Sequence, residues 1–337
     1  MRARHIYRHT TGEIARLCHD IAQEYVAQGL RLTVRQLYYQ IVARGLEDNG
    51  QNVYKRVVKA LTDARIAGWF PMDLIEDRGR NVEGSSGRSQ FGVDFAEEQI
   101  ANDLRAGPGR HLWAGWWFAQ PSLVSVWVEK EALSGVFEGP CGHLGAGLFA
   151  CKGYPSISSL WDWIEKTSAL VRHLGGDADA ADALTEIGID PADCYREVVV
   201  LYFGDHDPDG LEIPESCERS IAALLDAHGH TLPAALPPVR FERVALTLDQ
   251  INAHNPPPFP AKQSSARYTK YVEQTGLVDA WELDALDPSV LRDLITANVR
   301  ALHDAETWRK VRNLRDRRRG KVRNLITVDG WAADALD

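Results

Sequence analysis

The stretch that most constrains the fold of this chain is 198–210, with the sequence VVVLYFGDHDPDG. Residues 198–203 form an unbroken apolar run of strand length, which is typical of a strand buried on both faces of a parallel sheet. Gly204 ends the run, and three carboxylates follow at alternate positions, namely Asp205, Asp207 and Asp209. Ligands of such sheets bind beyond the carboxyl ends of the strands. The acids therefore stand where a site is expected.

Three carboxylates this close together repel one another unless a cation lies among them. Ligands that are all oxygen atoms favour a hard ion, Mg²⁺ or alternatively Mn²⁺. We interpret the acidic cluster as a metal site. The alternative is an Asp/Pro/Gly turn that leaves the strand and caps the next helix.

The second half of the chain alternates strands and helices, which predicts an α/β fold with a mainly parallel sheet. Leu123–Val128 is a second apolar strand, and it ends at Glu129. If the two strands are neighbours, Glu129 faces the aspartates. We expect a later strand over Arg240–Leu246 and a helix over Pro214–His228, with the proline early in its first turn.

The chain has 337 residues, of which 45% are hydrophobic and 25% charged, and this is enough for about two domains. No apolar run approaches the roughly 20 residues of a membrane span, so no membrane partner is expected. The N-terminus lacks the apolar core of a signal peptide. The five cysteines are scattered without a CxxC pair, which predicts reduced thiols and a cytoplasmic location.

Charge alone does not indicate a nucleic-acid partner, because the net charge is −9. The run Arg309–Arg323, RKVRNLRDRRRGKVR, is nevertheless strongly basic. A local basic surface can bind a phosphate backbone. The alternative is an ordinary solvated helix face.

The sequence predicts three helices in the N-terminal part of the chain. The first covers Thr10–Gln28, the second begins after a capping box formed by Thr33 and Gln36, and the third covers Val53–Ala67. Two short helices followed by a third that carries basic residues resemble a helix-turn-helix or winged-helix module, for which 79–90 would be a wing. Plain three-helix packing is the alternative. The break at Ala106–Gly109 divides the chain into a DNA-binding domain at 1–108 and a metal-binding domain at 109–337.

The second predicted helix contains two adjacent tyrosines in different settings. Tyr38 belongs to the apolar stripe of that helix, whereas Tyr39 falls off the stripe and shares a face with Arg35. An exposed tyrosine beside a guanidinium has the chemistry of a nucleophile whose target phosphate is held by the cation. The alternative is a surface tyrosine that stacks on an arginine.

Taken together, these motifs resemble one family. Glu129 after one strand and Asp205-His-Asp207 after a later one resemble a TOPRIM domain, and TVRQLYY (33–39) is similar to the tyrosine helix of the topoisomerase VI A subunit and the meiotic double-strand-break transesterase. VEKEA (128–132), KGYPS (152–156), GDHDPDG (204–210) and WELDAL (281–286) fit that family in order. The resemblance covers roughly residues 10–302 and implies a winged-helix domain followed by a Rossmann-like TOPRIM domain.

The resemblance also implies the function of an ATP-hydrolysing type II DNA topoisomerase, which is an isomerase. Tyr39 would attack a DNA phosphodiester, with Arg35 on the scissile phosphate, and leave a 5′-phosphotyrosyl double-strand break. Glu129, Asp205 and Asp207 would hold Mg²⁺, and Asp209 would be auxiliary. The implied partners are double-stranded DNA at the nucleoid, a second copy of the chain and a separate GHKL-type ATPase subunit, because the sequence contains no ATP-binding module.

Two other functions fit the same residues. In a metal-dependent TOPRIM nuclease, water would be the nucleophile and Tyr39 would be structural. In a DNA-binding protein without enzymatic activity, the helical module and the basic run would contact phosphates and no metal chemistry would occur.

Overall fold

The computed structural model describes residues 9–28, 31–75, 93–94, 113–176 and 178–328. The described residues form two compact units. The first contains 9–28 and 31–75 together with Pro155–Glu165 and Ser216–Leu232, and the second contains the rest. The domain boundary predicted between residues 108 and 109 lies outside the described residues.

The first unit contains the three helices that the sequence predicts, α1 (Thr11–Val26), α2 (Val34–Ala43) and α3 (Gln51–Ile66). The Thr33–Gln36 capping box is confirmed at the start of α2, and Thr10 with Glu13 forms a second one at α1. The apolar stripes of the helices meet in one core, which includes Ile14, Leu37, Ile41, Val57 and Phe70. The predicted wing at 79–90 lies outside the described residues, so the winged-helix assignment is not confirmed.

The second unit is built on four parallel strands, which confirms the α/β fold and the parallel sheet. These are β3 (Ser122–Val128), β4 (Gly147–Ala150), β5 (Glu197–Phe203) and β6 (Val239–Ala245), in the order β4-β3-β5-β6. Two short antiparallel pairs accompany the sheet, β1 (Val93–Asp94) with β2 (Trp113–Ala114) and β7 (Phe259–Pro260) with β8 (Asp279–Ala280). β3 is buried along its whole length and β5 along all but its first residue, as the apolar run predicts.

Within the described ranges, eight further helices follow β3. They are α4 (Ser134–Leu144), α5 (Ile157–Gly176), α6 (Ala178–Glu186), α7 (Pro208–His228), α8 (Leu248–His254), α9 (Tyr268–Thr275), α10 (Pro288–Ala301) and α11 (Ala305–Val328). Short 3₁₀ turns lie at Met72–Leu74, Glu131–Leu133, Pro191–Asp193, Gly229–Thr231 and Leu283–Ala285. Both α5 and α7 contribute residues to each unit. Among the helices described, none has the length and apolar character to cross a bilayer.

One helix boundary differs from the prediction. The helix expected from Pro214 begins six positions earlier, at Pro208, so that Pro214 lies inside α7. Pro208 stands at the first helical position, where a proline is favoured. An internal proline is tolerated only where the carbonyl it leaves without a donor finds another, and the structure supplies one, as described below.

Candidate functional site

The predicted acidic site lies at the carboxyl ends of β3 and β5, which are direct neighbours in the sheet. Glu129 follows β3, and its backbone N–H donates to the carbonyl of Phe203, the last residue of β5, at 2.8 Å. Its Oε2 accepts from the backbone N–H of Asp205 at 2.9 Å and from the hydroxyl of Tyr202 at 3.2 Å. The expectation that Glu129 faces the first aspartate is therefore confirmed.

Two carboxyl groups at this edge of the sheet have raised pKa values. Burial, followed by the charge of Asp205, raises the pKa of Glu129 to about 7. Burial also raises the pKa of Asp205, and the charge of Asp207 acts in the same direction. Both shifts arise because the anionic forms are desolvated and repel one another. A divalent cation among these oxygens would remove that repulsion.

The other two aspartates have different surroundings. Asp207 precedes α7, and its Oδ1 accepts from the N–H of Gly210 at 2.6 Å, so it caps the helix as the turn alternative predicts. Its second oxygen accepts no hydrogen bond from a described residue. Asp209 pairs with Arg267, Oδ1 to Nη1 at 3.1 Å, and Ser265 Oγ lies 3.4 Å from the same oxygen. The auxiliary metal role of Asp209 stays a prediction.

Asp205 is held on both of its oxygens. Oδ1 accepts from the N–H of Leu283 at 2.8 Å, and Oδ2 lies 3.2 Å from the Lys130 ammonium. The same ammonium lies 3.3 Å from Glu282 and 2.9 Å from Asp284. Burial disfavours the charge of Lys130, but the hydrogen bond to Asp284 and the charge of Asp205 outweigh it and raise the pKa of the ammonium. The WELDAL segment thus belongs to the site, and Lys130 is the cation that the structure places on Asp205.

The residues fit a divalent cation in their chemistry, although they do not form a finished ligand set. No group of three or more His, Cys, Asp and Glu side chains within the described ranges stands ready to hold a metal ion. Both oxygens of Asp205 and one oxygen each of Glu129 and Asp207 contact donors of the chain itself. The donor set is nevertheless all oxygen, and burial together with the neighbouring carboxylates raises the pKa values of Glu129 and Asp205. Glu129, Asp205 and Asp207 are the residues that would hold Mg²⁺ or Mn²⁺.

The loop between β5 and α7, residues 204–210 and hereafter the acid loop, is too closely packed for side chains at its glycines. A Cβ built on Gly210 would overlap the carbonyl oxygen of Asp205 and lie 2.9 Å from Glu129 Oε2. A Cβ on Gly204 would overlap the ring of Tyr202. The two glycines therefore let the acid-bearing backbone approach the end of β3.

Two residues of the site were not predicted as functional from the sequence, Lys130 and Arg243. Arg243 donates to several carbonyls of the acid loop, including that of Gly210. The sequence indicates that the Gly210 carbonyl needs a donor from elsewhere. Pro214 stands four positions later and has no N–H to complete the helical hydrogen bond. This pattern predicts an unpaired carbonyl but does not identify its partner.

The candidate nucleophile lies in the first unit. Tyr38 is only 5% exposed, and its hydroxyl donates to Asn49 Oδ1 at 2.5 Å and accepts from the N–H of Gly50 at 2.8 Å. Tyr39 is 49% exposed, and its ring contacts that of Tyr38 at a centroid distance of 5.2 Å. Among the described residues, nothing forms a hydrogen bond with the Tyr39 hydroxyl or pairs with the exposed Arg35. The periodicity thus distinguished the structural tyrosine from the accessible one.

The basic C-terminal run forms part of α11, and some of its charge is neutralised by the chain. Arg318 pairs with Glu186, Nη2 to Oε2 at 2.9 Å, and Arg317 lies 3.5 Å from the same carboxylate. This part of α11 therefore combines a solvated face with ion pairs to α6.

Comparison with protein-family models and with curated proteins gave no match to this chain.

Proposed function

We propose that this chain is a DNA-cleaving transesterase similar to the A subunit of type IIB topoisomerases. The observation that carries the proposal is the presence, in one chain, of an exposed tyrosine beside an arginine and of a buried all-oxygen acid cluster. Tyr39 and Arg35 occupy one face of the capped helix α2, and among the described residues none forms a hydrogen bond with the Tyr39 hydroxyl or an ion pair with Arg35. The hydroxyl of Tyr39 is therefore available to a substrate.

The chemistry is a transesterification at phosphorus. The Tyr39 oxygen forms a bond to the scissile phosphate and releases its proton to solvent, while the bond between phosphorus and the 3′-oxygen breaks and that oxygen takes up a proton. The products are a 5′-phosphotyrosyl link and a free 3′-hydroxyl. Arg35 binds the non-bridging oxygens of the phosphate and orients it for in-line attack. A divalent cation held by Glu129, Asp205 and Asp207 would neutralise charge on the phosphate and the leaving oxygen.

The proposal includes the partners that such an enzyme needs. Double-stranded DNA is the substrate, and two copies of the chain are required because each cuts one strand. In the family that the chain resembles, the tyrosine of one subunit acts with the metal site of the other. Strand passage would require a separate GHKL-type ATPase subunit.

The direct test is a covalent-adduct assay. End-labelled linear DNA and, separately, supercoiled DNA are incubated with the protein and Mg²⁺ or Mn²⁺, the reaction is stopped with SDS, and DNA attached to protein is separated. We expect a 5′-linked adduct with the wild type and with Tyr38→Phe, and none with Tyr39→Phe or Asp205→Ala. Adduct formation by Tyr39→Phe at the wild-type level would refute the proposal. Candidate ATPase subunits are added in a parallel series, because cleavage can depend on them.

The sharing of sites between subunits has its own test. Mixing Tyr39→Phe with Asp205→Ala gives heterodimers. If the tyrosine acts on the site of its partner, one of the two composite sites is intact and the mixture nicks one strand. If both residues act within one chain, every site carries a defect and the mixture is inactive.

A metal-dependent nuclease is the second candidate function. The observation that favours it is that Glu129, Asp205 and Asp207 come together within one compact unit without any contribution from Tyr39. Water would then be the nucleophile. The same assay distinguishes the two functions, since a nuclease leaves ends free of protein and is indifferent to Tyr39→Phe.

A further inference from the structure

Arg243, near the carboxyl end of β6, donates from all three nitrogens of its guanidinium, and two of them, Nη1 and Nη2, bind the acid loop. Nη1 donates to the carbonyl of Gly210 at 2.9 Å, and Nη2 donates to that of Gly204 at 3.0 Å and to that of Asp205. Nε donates to the carbonyl of Leu246 at 3.3 Å. One partly buried side chain therefore joins both ends of the acid loop to β6.

The contact with Gly210 satisfies a specific backbone group. In a regular α-helix, this carbonyl accepts from the N–H four residues later. That residue is Pro214, which lies inside α7 and has no N–H. Nη1 of Arg243 replaces the missing donor, and the first turn of the helix can therefore form directly after the acids.

The same guanidinium lies beside the carboxylates. It stands over the ring of Tyr202, 5.6 Å from the centroid, and the Tyr202 hydroxyl donates to Glu129 Oε2. Burial lowers the pKa of Arg243, and the charges of Glu129, Asp205 and Asp207 oppose that shift. Arg243 therefore carries both a charge and a rigid set of donors close to the site.

We propose that Arg243 is a positioning residue for the divalent cation, and that it acts by fixing the backbone of the acid loop rather than by its charge. The inference rests on the metal site of the proposed function. A planar fork with donors on three nitrogens can hold several carbonyls at once, whereas a lysine ammonium in the same place keeps the charge but not the geometry. The exchange of arginine for lysine separates the two effects.

The experiment measures Mn²⁺ binding to the full chain without DNA. Binding is followed by the loss of the free Mn²⁺ signal in electron paramagnetic resonance, and the spectrum of bound Mn²⁺ reports the ligand geometry. The variants are Arg243→Lys, Arg243→Met and the control Arg240→Lys, which changes an arginine of the same strand that pairs with Glu197. Circular dichroism and thermal unfolding in EDTA establish that each variant is folded.

We expect Arg243→Lys to bind Mn²⁺ roughly 10- to 100-fold more weakly than the wild type, with an altered spectrum of the bound ion. Arg243→Met should lose at least as much affinity, and Arg240→Lys should match the wild type. Wild-type affinity in Arg243→Lys, or tighter binding in Arg243→Met, would overturn the inference and leave the proposed function intact. Absence of Mn²⁺ binding to the wild type would refute the metal site of the proposed function, and the inference with it.

If the single variant Arg243→Lys does not fold, the same exchange is made in the Pro214→Ala variant. Pro214→Ala gives Gly210 a backbone donor again, so the helix no longer needs the arginine at that point. In this background Arg243→Lys should still weaken Mn²⁺ binding, because the carbonyl of Asp205 loses its arginine donor and that of Gly204 keeps only the N–H of Leu246, but by less than in the wild-type background. Equal affinity with and without Arg243→Lys there would overturn the inference.

Discussion

Gly210→Ala tests whether the packing of the acid loop is as close as the structure indicates. An added Cβ would overlap the Asp205 carbonyl oxygen and lie 2.9 Å from Glu129 Oε2. The overlapped atom belongs to the backbone and also accepts from Arg243, so it cannot move without disturbing other contacts. Glu129 in turn binds the Asp205 N–H through the same Oε2.

The magnitude follows from two opposing terms. In an open helical position, replacement of glycine by alanine stabilises a protein by about 0.5–1 kcal/mol. Overpacking of a close-packed site costs about 1–3 kcal/mol. For Gly210→Ala we therefore expect a net loss of up to about 2.5 kcal/mol in the free energy of unfolding, together with weaker Mn²⁺ binding because both carboxylates are displaced.

Gly142→Ala is the matched control, because Gly142 is an exposed residue of α4 and a Cβ added to it would meet no atom within 4 Å. Urea unfolding in EDTA, followed by circular dichroism, compares both variants with the wild type. The control should be as stable as the wild type or more stable, by up to about 1 kcal/mol. The reasoning is refuted if Gly210→Ala is also stabilising, or if the two variants shift stability equally.

Three further outcomes are expected. Tyr38→Phe should lower the free energy of unfolding by about 1–2 kcal/mol in urea titrations, because Asn49 and a backbone N–H lose their partner, while adduct formation persists. Lys130→Met should bind Mn²⁺ roughly tenfold more tightly at low salt, because a cation that competes for Asp205 is removed; weaker binding in the same titration would refute this. The pKa of Glu129 is about 7 in the native state against 4.5 as its ordinary value, so the metal-free native state binds a proton that the unfolded chain has lost. Stability should therefore fall by up to about 3 kcal/mol as pH rises from about 4.5 to 7, and urea titrations of Glu129→Gln should lack that fall.

The sequence predicted those features of the site that depend on local pattern. The run 198–203 is apolar at every position, which is typical of a doubly buried strand, and β5 has that character. The position of Glu129 followed from topology, since the carboxyl ends of neighbouring parallel strands meet at one edge. The difference between Tyr38 and Tyr39 followed from helical periodicity.

The contacts that were missed join residues distant in the chain. Lys130 meets Asp284 across 154 positions, and Arg243 meets Gly204 across 39. Neither cation has a periodicity or a motif of its own, and an arginine in a strand is ordinarily expected at the surface. The sequence also provided no indication that Pro155–Glu165 and Ser216–Leu232 belong to the first unit. No local pattern shows which part of a long helix packs against a segment distant in the chain.

In the proposed function, the acid loop has two tasks that compete for the same atoms, the capping of α7 and the binding of a metal ion. Asp207 gives one oxygen to the cap of α7, whereas Asp205 gives Oδ1 to the N–H of Leu283 and Oδ2 to the Lys130 ammonium, so a metal ion would have to displace Lys130 from Asp205. A metal ion that drew on the capping oxygen would weaken the helix that Pro214 already deprives of a hydrogen bond. Arg243 resolves this competition, because its donors hold the loop and the first turn of α7 without using any carboxylate oxygen. The dependence of Mn²⁺ affinity on Arg243 should therefore exceed its dependence on Arg240, the other arginine of β6.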